Sequence, residues 1–239
     1  MMGALAVLEA AFGRAAAEGS PRRVWWRDDD AVRVGPRLER LTALAARHRA
    51  SLALAVIPYG ADASVLAHCE RHGHVVLQHG ASHSNHQPSG KPAELGDARD
   101  VDAIVAELVA ARRALASPAF LPVMVPPWNR MRGNLDGPLA AAGYVGVSLF
   151  GGPTRDGPLA RVDTHLDPVD WRGGRGLLAT PSLSRMAEAA VASGGPIGLL
   201  THHAVHKGDV WEFVDAVAAL VARHPGAAWA SARELFGGA

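Results

Sequence analysis

The chain has 239 residues, of which 49% are apolar and 20% charged, and its formal net charge is +1. That length accommodates one large α/β domain or two small ones with a substantial core, and so small a charge excludes the electrostatic footprint of a nucleic-acid or acidic-membrane binder. The single cysteine, Cys69, excludes an intramolecular disulfide and a thiolate-rich zinc site, and 12 histidines are the compositional outlier.

The N-terminal segment is apolar but lacks a basic leader region, and Glu9 and Arg14 interrupt it. Leu5, Leu8 and Phe12 share one helical face, so residues 3–18 are expected to form a helix packed on a core of about 22–235. No run reaches the length of a membrane span, and a cytoplasmic chain is expected. After the break at Gly19-Ser20-Pro21, Val24-Trp25-Trp26 reads as a short strand ending on Asp28-Asp29-Asp30. A helix from Pro36 to His48 follows, and Ser51 to Ile57 is a continuous apolar run, the pattern of a strand buried on both faces. A helix from about Asp62 to Arg71 leads to the strand Val75-Val76-Leu77. That strand runs into Gln78-His79-Gly80-Ala81-Ser82-His83-Ser84-Asn85-His86, three histidines within eight residues.

Residues 87–95 read as a polar loop near the site, and Asp97 to Ala116 as a helix with Val101, Ile104, Val105 and Leu108 along one stripe. Phe120 to Val125 is a strand entering Pro126-Pro127-Trp128-Asn129-Arg130. A helix from Asn134 or Leu135 to Ala142 and a strand from Val145 to Phe150 come next. The stretch from Gly151 to Gly176 is Gly/Pro-rich and irregular, and carries Asp167-Pro168-Val169-Asp170-Trp171. Helices at Ser184–Ala192 and Asp209–Arg223 and strands at Ile197–Thr201 and Ala227–Ala230 complete the chain. Strand and helix alternate almost throughout, with no boundary in composition, which predicts a single α/β domain over residues 1–239 with a parallel sheet or barrel.

The acidic triplet, the histidine cluster, Pro126-Pro127-Trp128 and Thr201-His202-His203 all follow strands. In parallel α/β folds the loops at the carboxyl ends of strands converge on one face, so these four constellations are expected to share a pocket. Each alone has an ordinary reading: three aspartates cap a helix or form a solvated turn, paired histidines lie on a surface loop, and Pro-Pro-Trp is a stiff turn. Together they change the balance, because crowded carboxylates cost free energy unless a cation offsets them. One aspartate with two histidines is a familiar mixed site that leaves room for water. A divalent metal there lowers the pKa of bound water towards ~7, a second aspartate can act as general base, and a histidine from the far strand can protonate the leaving group.

In these motifs the sequence resembles the polysaccharide deacetylase (NodB-homology, carbohydrate esterase family four) superfamily, as a divergent member. The Asp-Asp pair after a strand is supplied by the triplet, the His-(Ser/Thr)-x-x-His motif by His79 to His83, and Arg-Pro-Pro-(Tyr/Phe)-Gly by Val125 to Asn129. The aspartate and tryptophan region corresponds to Asp167–Trp171, and the strand ending Leu-x-His to Leu200-Thr201-His202. Five motifs in order span Asp28 to His202. The resemblance implies a distorted (β/α)7 barrel and a metal-dependent hydrolase that removes an acyl group, typically acetyl, from an N-acylated amino sugar or related small amide. It implies Asp30, His79 and His83 as ligands of one divalent metal, zinc first, with cobalt, nickel or iron(II) compatible. Asp29 as base and Asp30 as ligand is the favoured register, with Asp28 as base and Asp29 as ligand the alternative. His202 is the expected acid, with Pro127, Trp128, Asn129, Trp171 and Leu200 lining the substrate.

Three departures stand out. Val125 replaces the arginine that orients the base, a role then open to Arg130 or Arg27, with Arg130 taken first. Gly80 replaces the hydroxyl residue after the first histidine, and His86 is an extra histidine without a motif position. The alternatives are a hydrolase of the same fold acting on another non-peptide carbon–nitrogen bond, and a non-catalytic carbohydrate-binding protein. The expected partner is a small-molecule or carbohydrate substrate rather than nucleic acid.

Overall fold

The computed structural model describes residues 2–153 and 157–237. Strands β1 (Arg22–Ala31), β2 (Leu52–Val56), β3 (Val75–His79), β4 (Phe120–Val125), β5 (Gly146–Val147), β6 (Ala160–Arg161), β7 (Ile197–Thr201) and β8 (Ala227–Trp229) form one sheet. Its order is β6-β5-β4-β3-β2-β1-β7, with β8 joined to the first residues of β1, and every pairing is parallel. The chain continuing from β6 carries the sheet round to its other edge: Thr164 bridges Phe150 and Leu166 bridges Leu199, both in parallel. The result is a distorted barrel whose last staves are irregular.

Alternation along β1 and β2 sorts the two faces. Trp25, Ala53, Ala55, Leu77, Val123 and Val125 belong to the inner cluster, which Phe236 of the short helix α8 (Ala232–Phe236) joins, its ring edge-on to Trp25 at 6.0 Å. Trp26, Leu52, Leu54 and Val56 face the outer helices instead. The outer layer comprises α1 (Met2–Ala17), α2 (Pro36–Arg47), α3 (Ala63–His72), α4 (Val101–Arg112), α5 (Asp136–Ala141), α6 (Thr180–Ala192) and α7 (Gly208–Arg223). All five residues of β2 are buried, the consequence of being covered on both sides. Helix α1 packs mainly on α6, and Gly3 lets the two approach, since a Cβ there would run into Ser184. Among the described residues no helix is long and apolar enough to cross a membrane.

Several boundaries differ from those read in sequence. Helix α4 starts at Val101 rather than Asp97 because Asp100 caps it, accepting from the N–H groups of Asp102 and Ala103. Helix α6 begins earlier than Ser184, at Thr180 with Pro181 in its first turn. The strand expected over 145–150 is regular only at Gly146–Val147, and the irregular stretch 151–176 holds the two-residue β6, with its residues 154–156 outside the described residues. Helix α8 is an addition, announced by a capping box in which Ser231 and Glu234 bond reciprocally.

Gly198 in β7 marks a close approach where the barrel closes. Its carbonyl accepts from the N–H groups of His165 and Leu166, and a Cβ on it would lie 2.7 Å from both the Asp163 carbonyl oxygen and Trp25 Nε1. Gly198→Ala is therefore expected to lower stability by about 1–3 kcal/mol, read as a drop in the urea midpoint at unchanged slope. An unchanged midpoint would show that the seam is looser than described.

Candidate metal centre and catalytic site

The carboxyl ends of β1, β3, β4 and β7 lie at one rim and bring the four polar constellations together. At the end of β1 the pleat sends adjacent carboxylates to opposite faces. Asp29 points inward, where Arg27, two residues earlier on the same face, grips it with Nε to Oδ1 at 2.8 Å and Nη2 to Oδ2 at 3.0 Å. Arg27 has no exposed surface, and its other donors go to Ser148 Oγ at 2.6 Å, the Leu149 carbonyl at 3.2 Å and Asn129 Oδ1 at 2.7 Å. Of the two arginines offered by the sequence, the one on Asp29 is thus Arg27. Arg130, the arginine taken first from sequence, donates instead to the Pro92 carbonyl at 2.8 Å.

Asp30 turns into the left-handed region (φ 67°) and sits over the end of β3. His79 Nε2 is 3.2 Å and His83 Nε2 3.4 Å from Asp30 Oδ1, and one ligand atom from each residue lies within 4.8 Å of the others. His79 Nδ1 is 2.9 Å from the Val125 carbonyl, which only accepts, so the proton is on Nδ1 and a neutral His79 turns a bare Nε2 lone pair towards a carboxylate oxygen. That contact is tolerable only with a proton or a cation between the two atoms. Without a metal, the proton takes the place. Burial raises the Asp30 carboxyl, but the hydrogen bond and charge of His79, with His202 and His83, hold it below the usual carboxylate range. Burial opposes charge on His79, yet its bond to Asp30 and the charge of Asp29 leave it raised. The donor set of two imidazole nitrogens and a carboxylate oxygen fits a divalent ion with coordination positions to spare.

Strain gathers here. Besides Asp30, His83 (φ 57°), Trp128 (φ 55°) and Asn129 (φ 54°) adopt left-handed backbone, costly for residues with side chains and characteristic of functional sites. The Trp128 ring packs on His83 at 4.3 Å between centroids. Pro127 is buried beside Gly80, while the Asn129 side chain serves Arg27. His86 is exposed and stands outside the cluster.

At the end of β7, His202 lies nearly buried beneath the edge of Trp171, ring centroids 4.6 Å apart, and its Nδ1 has no partner among the described residues. Trp171 is 45% exposed at the rim and donates from Nε1 to Asp167 Oδ2 at 2.8 Å. Burial pushes Asp167 up despite the opposing influence of His202. Leu200 is fully buried in β7, and its N–H closes the barrel on the Leu166 carbonyl.

The outward carboxylate, Asp28, belongs to a buried network that sequence reading did not separate from the other two. It accepts from Thr201 Oγ1 at 2.6 Å, from the His203 N–H at 3.0 Å and from His203 Nδ1. Trp26 Nε1 completes the set by donating to Thr201 Oγ1 at 2.9 Å. The signal was the parity of the triplet: residues 28 and 29 cannot share a face of one strand.

Neither a family model nor a curated relative matches the sequence. Solved structures do match. The Bc1960 peptidoglycan N-acetylglucosamine deacetylase is 16% identical with a TM-score of 0.58, the match covering 92% of this chain and 90% of that one. A family 4 acetyl xylan esterase from Clostridium thermocellum, solved with a cobalt ion, is 17% identical at a TM-score of 0.55, covering 90% and 91%. A CE4 family pseudoenzyme from Bacillus anthracis, BA3943, is 14% identical at 0.56, covering 90% and 66%. What these identities show is the fold: this chain has the distorted (β/α) barrel of the CE4 deacetylases.

The Asp28–His203 pair makes a prediction of its own. Burial opposes charge on both groups, but each holds the other charged, so Asp28 is lowered and His203 raised. The raised histidine contributes fully below its ordinary pKa of ~6.5 and loses that contribution as pH rises through the folded value. The lowered aspartate contributes above the ordinary carboxylate range and loses it as pH falls through its own folded value. In metal-free protein, the melting-temperature deficit of His203→Gln should therefore be largest near pH 6 and shrink by pH 9. An equal deficit at both values would sink the ion-pair assignment.

Proposed function

We propose that this chain is a divalent-metal-dependent hydrolase that removes the acetyl group from an N-acetylated amino sugar or a closely related small amide. The observation that carries the reading is the meeting of three groups able to ligate a metal, Asp30, His79 and His83, with one ligand atom of each within 4.8 Å of the others, beside a carboxylate gripped by a buried arginine. The fold shared with CE4 deacetylases supports it. Asp30, His79 and His83 would hold the ion, zinc first among the metals such a set accepts. When bound, the ion would supply Lewis acidity to the acyl carbonyl and lower the pKa of water towards ~7.

The remaining steps fall to this chain's own groups. Asp29 removes the proton from the attacking water, and Arg27 fixes the orientation of its carboxylate so that no reorganisation is needed. The Asn129 N–H is committed to the Pro126 carbonyl, so of the two backbone donors beside the site Trp128 is the one left to face the developing oxyanion. His202 protonates the departing amine, and the exposed face of Trp171 above it offers a flat apolar surface to a sugar ring. A non-catalytic carbohydrate-binding role is the second reading, favoured by the pseudoenzyme of the same fold and by the loss of the third-motif arginine at Val125.

Elemental analysis and a screen of N-acetylated sugars for acetate release decide between the two. Asp30→Ala, His79→Ala and His83→Ala are each expected to lose the metal, whereas Asp29→Asn keeps it and loses activity by about 10²–10⁴-fold. Metal retained in all three ligand variants would overturn the site. Metal bound by wild-type protein without acetate release from any substrate would favour the binding role. Arg27→Ala is expected to lower kcat with little change in metal content, and Arg130→Ala to leave kcat near the wild-type value; the reverse order would return the orienting role to Arg130.

A further inference from the structure

The second metal ligand, His83, is held in an unfavourable backbone conformation on a turn that contains no regular structure. What holds it is a carboxylate from the far end of the following loop. Glu94 has no exposed surface, and among the described residues no basic side chain pairs with it. Its Oε1 accepts from the N–H groups of Ala81 (3.2 Å) and Ser82 (2.8 Å) and from Ser82 Oγ (3.2 Å), and its Oε2 accepts from the N–H of His83 (3.2 Å). Three successive backbone donors converging on one anion form a nest of the kind that elsewhere binds phosphate. Here the anion is part of the chain.

The surroundings are built for that contact. Gly80 precedes the nest with φ +60°, and a Cβ on it would run into the Glu94 carboxylate and come within 2.7 Å of Pro127 Cγ. Gln78 fixes the other side of the turn by donating to the Gly80 carbonyl at 3.0 Å. The loop bearing Glu94 is itself tied down, at Pro92 by Arg130 and at Leu95 by the Arg132 N–H. A buried carboxylate with no cation is costly unless several donors compensate it, and all of the donors here belong to the segment that aims His83.

We propose that Glu94 is the positioning residue of the metal centre, setting the turn 80–83 so that His83 Nε2 reaches the point shared by His79 and Asp30. It stands where the hydroxyl expected after the first histidine is missing, and it explains why only glycine fits there. The proposal rests on the metal-centre reading above. Glu94→Gln keeps the size of the side chain but turns an NH2 group towards an N–H donor, and Glu94→Asp keeps the charge but is one methylene too short.

The test measures Co2+ affinity and the visible Co2+ spectrum of wild type and both variants, at a temperature where circular dichroism shows each to be folded. Both variants should bind Co2+ at least ~10-fold more weakly and with an altered spectrum. Amide exchange in metal-free wild-type protein needs no variant, and should show Ala81, Ser82 and His83 protected. A lowered melting temperature with unchanged Co2+ affinity and spectrum would make Glu94 merely structural and overturn the proposal, as would exchange of those three amides at the rate of an open loop. Wild-type protein that takes up no Co2+ would overturn the metal reading itself, a failure distinct from that of Glu94.

Discussion

Three consecutive carboxylates can stand at one strand end only if each is answered separately, and that condition shapes this molecule. The pleat of β1 sends Asp29 to the barrel interior and Asp28 to the helical layer, and the left-handed turn at Asp30 swings the third over the neighbouring strands. Each then meets a different partner: Arg27 for Asp29, His203 for Asp28, and the paired imidazoles for Asp30. Were they left on one side, like charges within a few ångströms would drive protons onto at least one of them. The triplet is thus three devices that happen to be adjacent in the chain. One is bound into the helical layer, one is gripped by a buried guanidinium, and one meets two imidazoles.

Arg27 shows how far the answer to one carboxylate reaches. A guanidinium without solvent must spend its donors on acceptors in its own plane. Those acceptors come from just after β5 (Ser148 and Leu149) and from the turn after β4 (Asn129), so the orientation of Asp29 depends on two stretches of chain besides its own strand. Arg27 holds Asp29 from two positions earlier on the same strand. Val125 is then free to be an apolar strand residue whose carbonyl fixes the tautomer of His79.

What the sequence disclosed follows from the range of the interactions involved. Elements governed by local pattern were legible: the apolar run of β2, the leucine spacing of α2 and the stripe along α4 all report burial directly. The meeting of His79 and His83 with Asp30 was legible because histidines four apart after one strand and an aspartate at the end of another can reach one rim of a parallel sheet. Less visible was anything decided by backbone geometry. The choice between Arg27 and Arg130 depended on strand parity, which favours a residue two positions from Asp29, and the sequence reading weighted proximity to the third motif instead. Glu94 gave no signal at all, because its partners are main-chain N–H groups and its segment looks like any Pro/Gly loop. The short strand β6 lay hidden for the related reason that two residues inside an irregular stretch carry no period.

The position of β1 in the sheet bears on how the molecule comes into being. It pairs with β2 on the one hand, and with β7 and β8 across some 170 to 205 positions of sequence on the other. Contacts of such separation form late and slowly, since the chain must surrender loop entropy before they reward it. During synthesis, Asp28 emerges long before Thr201 and His203, so the nascent N-terminal half exposes an unanswered acidic edge until the final segments arrive. Closure of the barrel is in this sense a terminal event in biogenesis, and a chain that stalls short of β7 carries Asp30, His79 and His83 but no completed barrel to hold them in place.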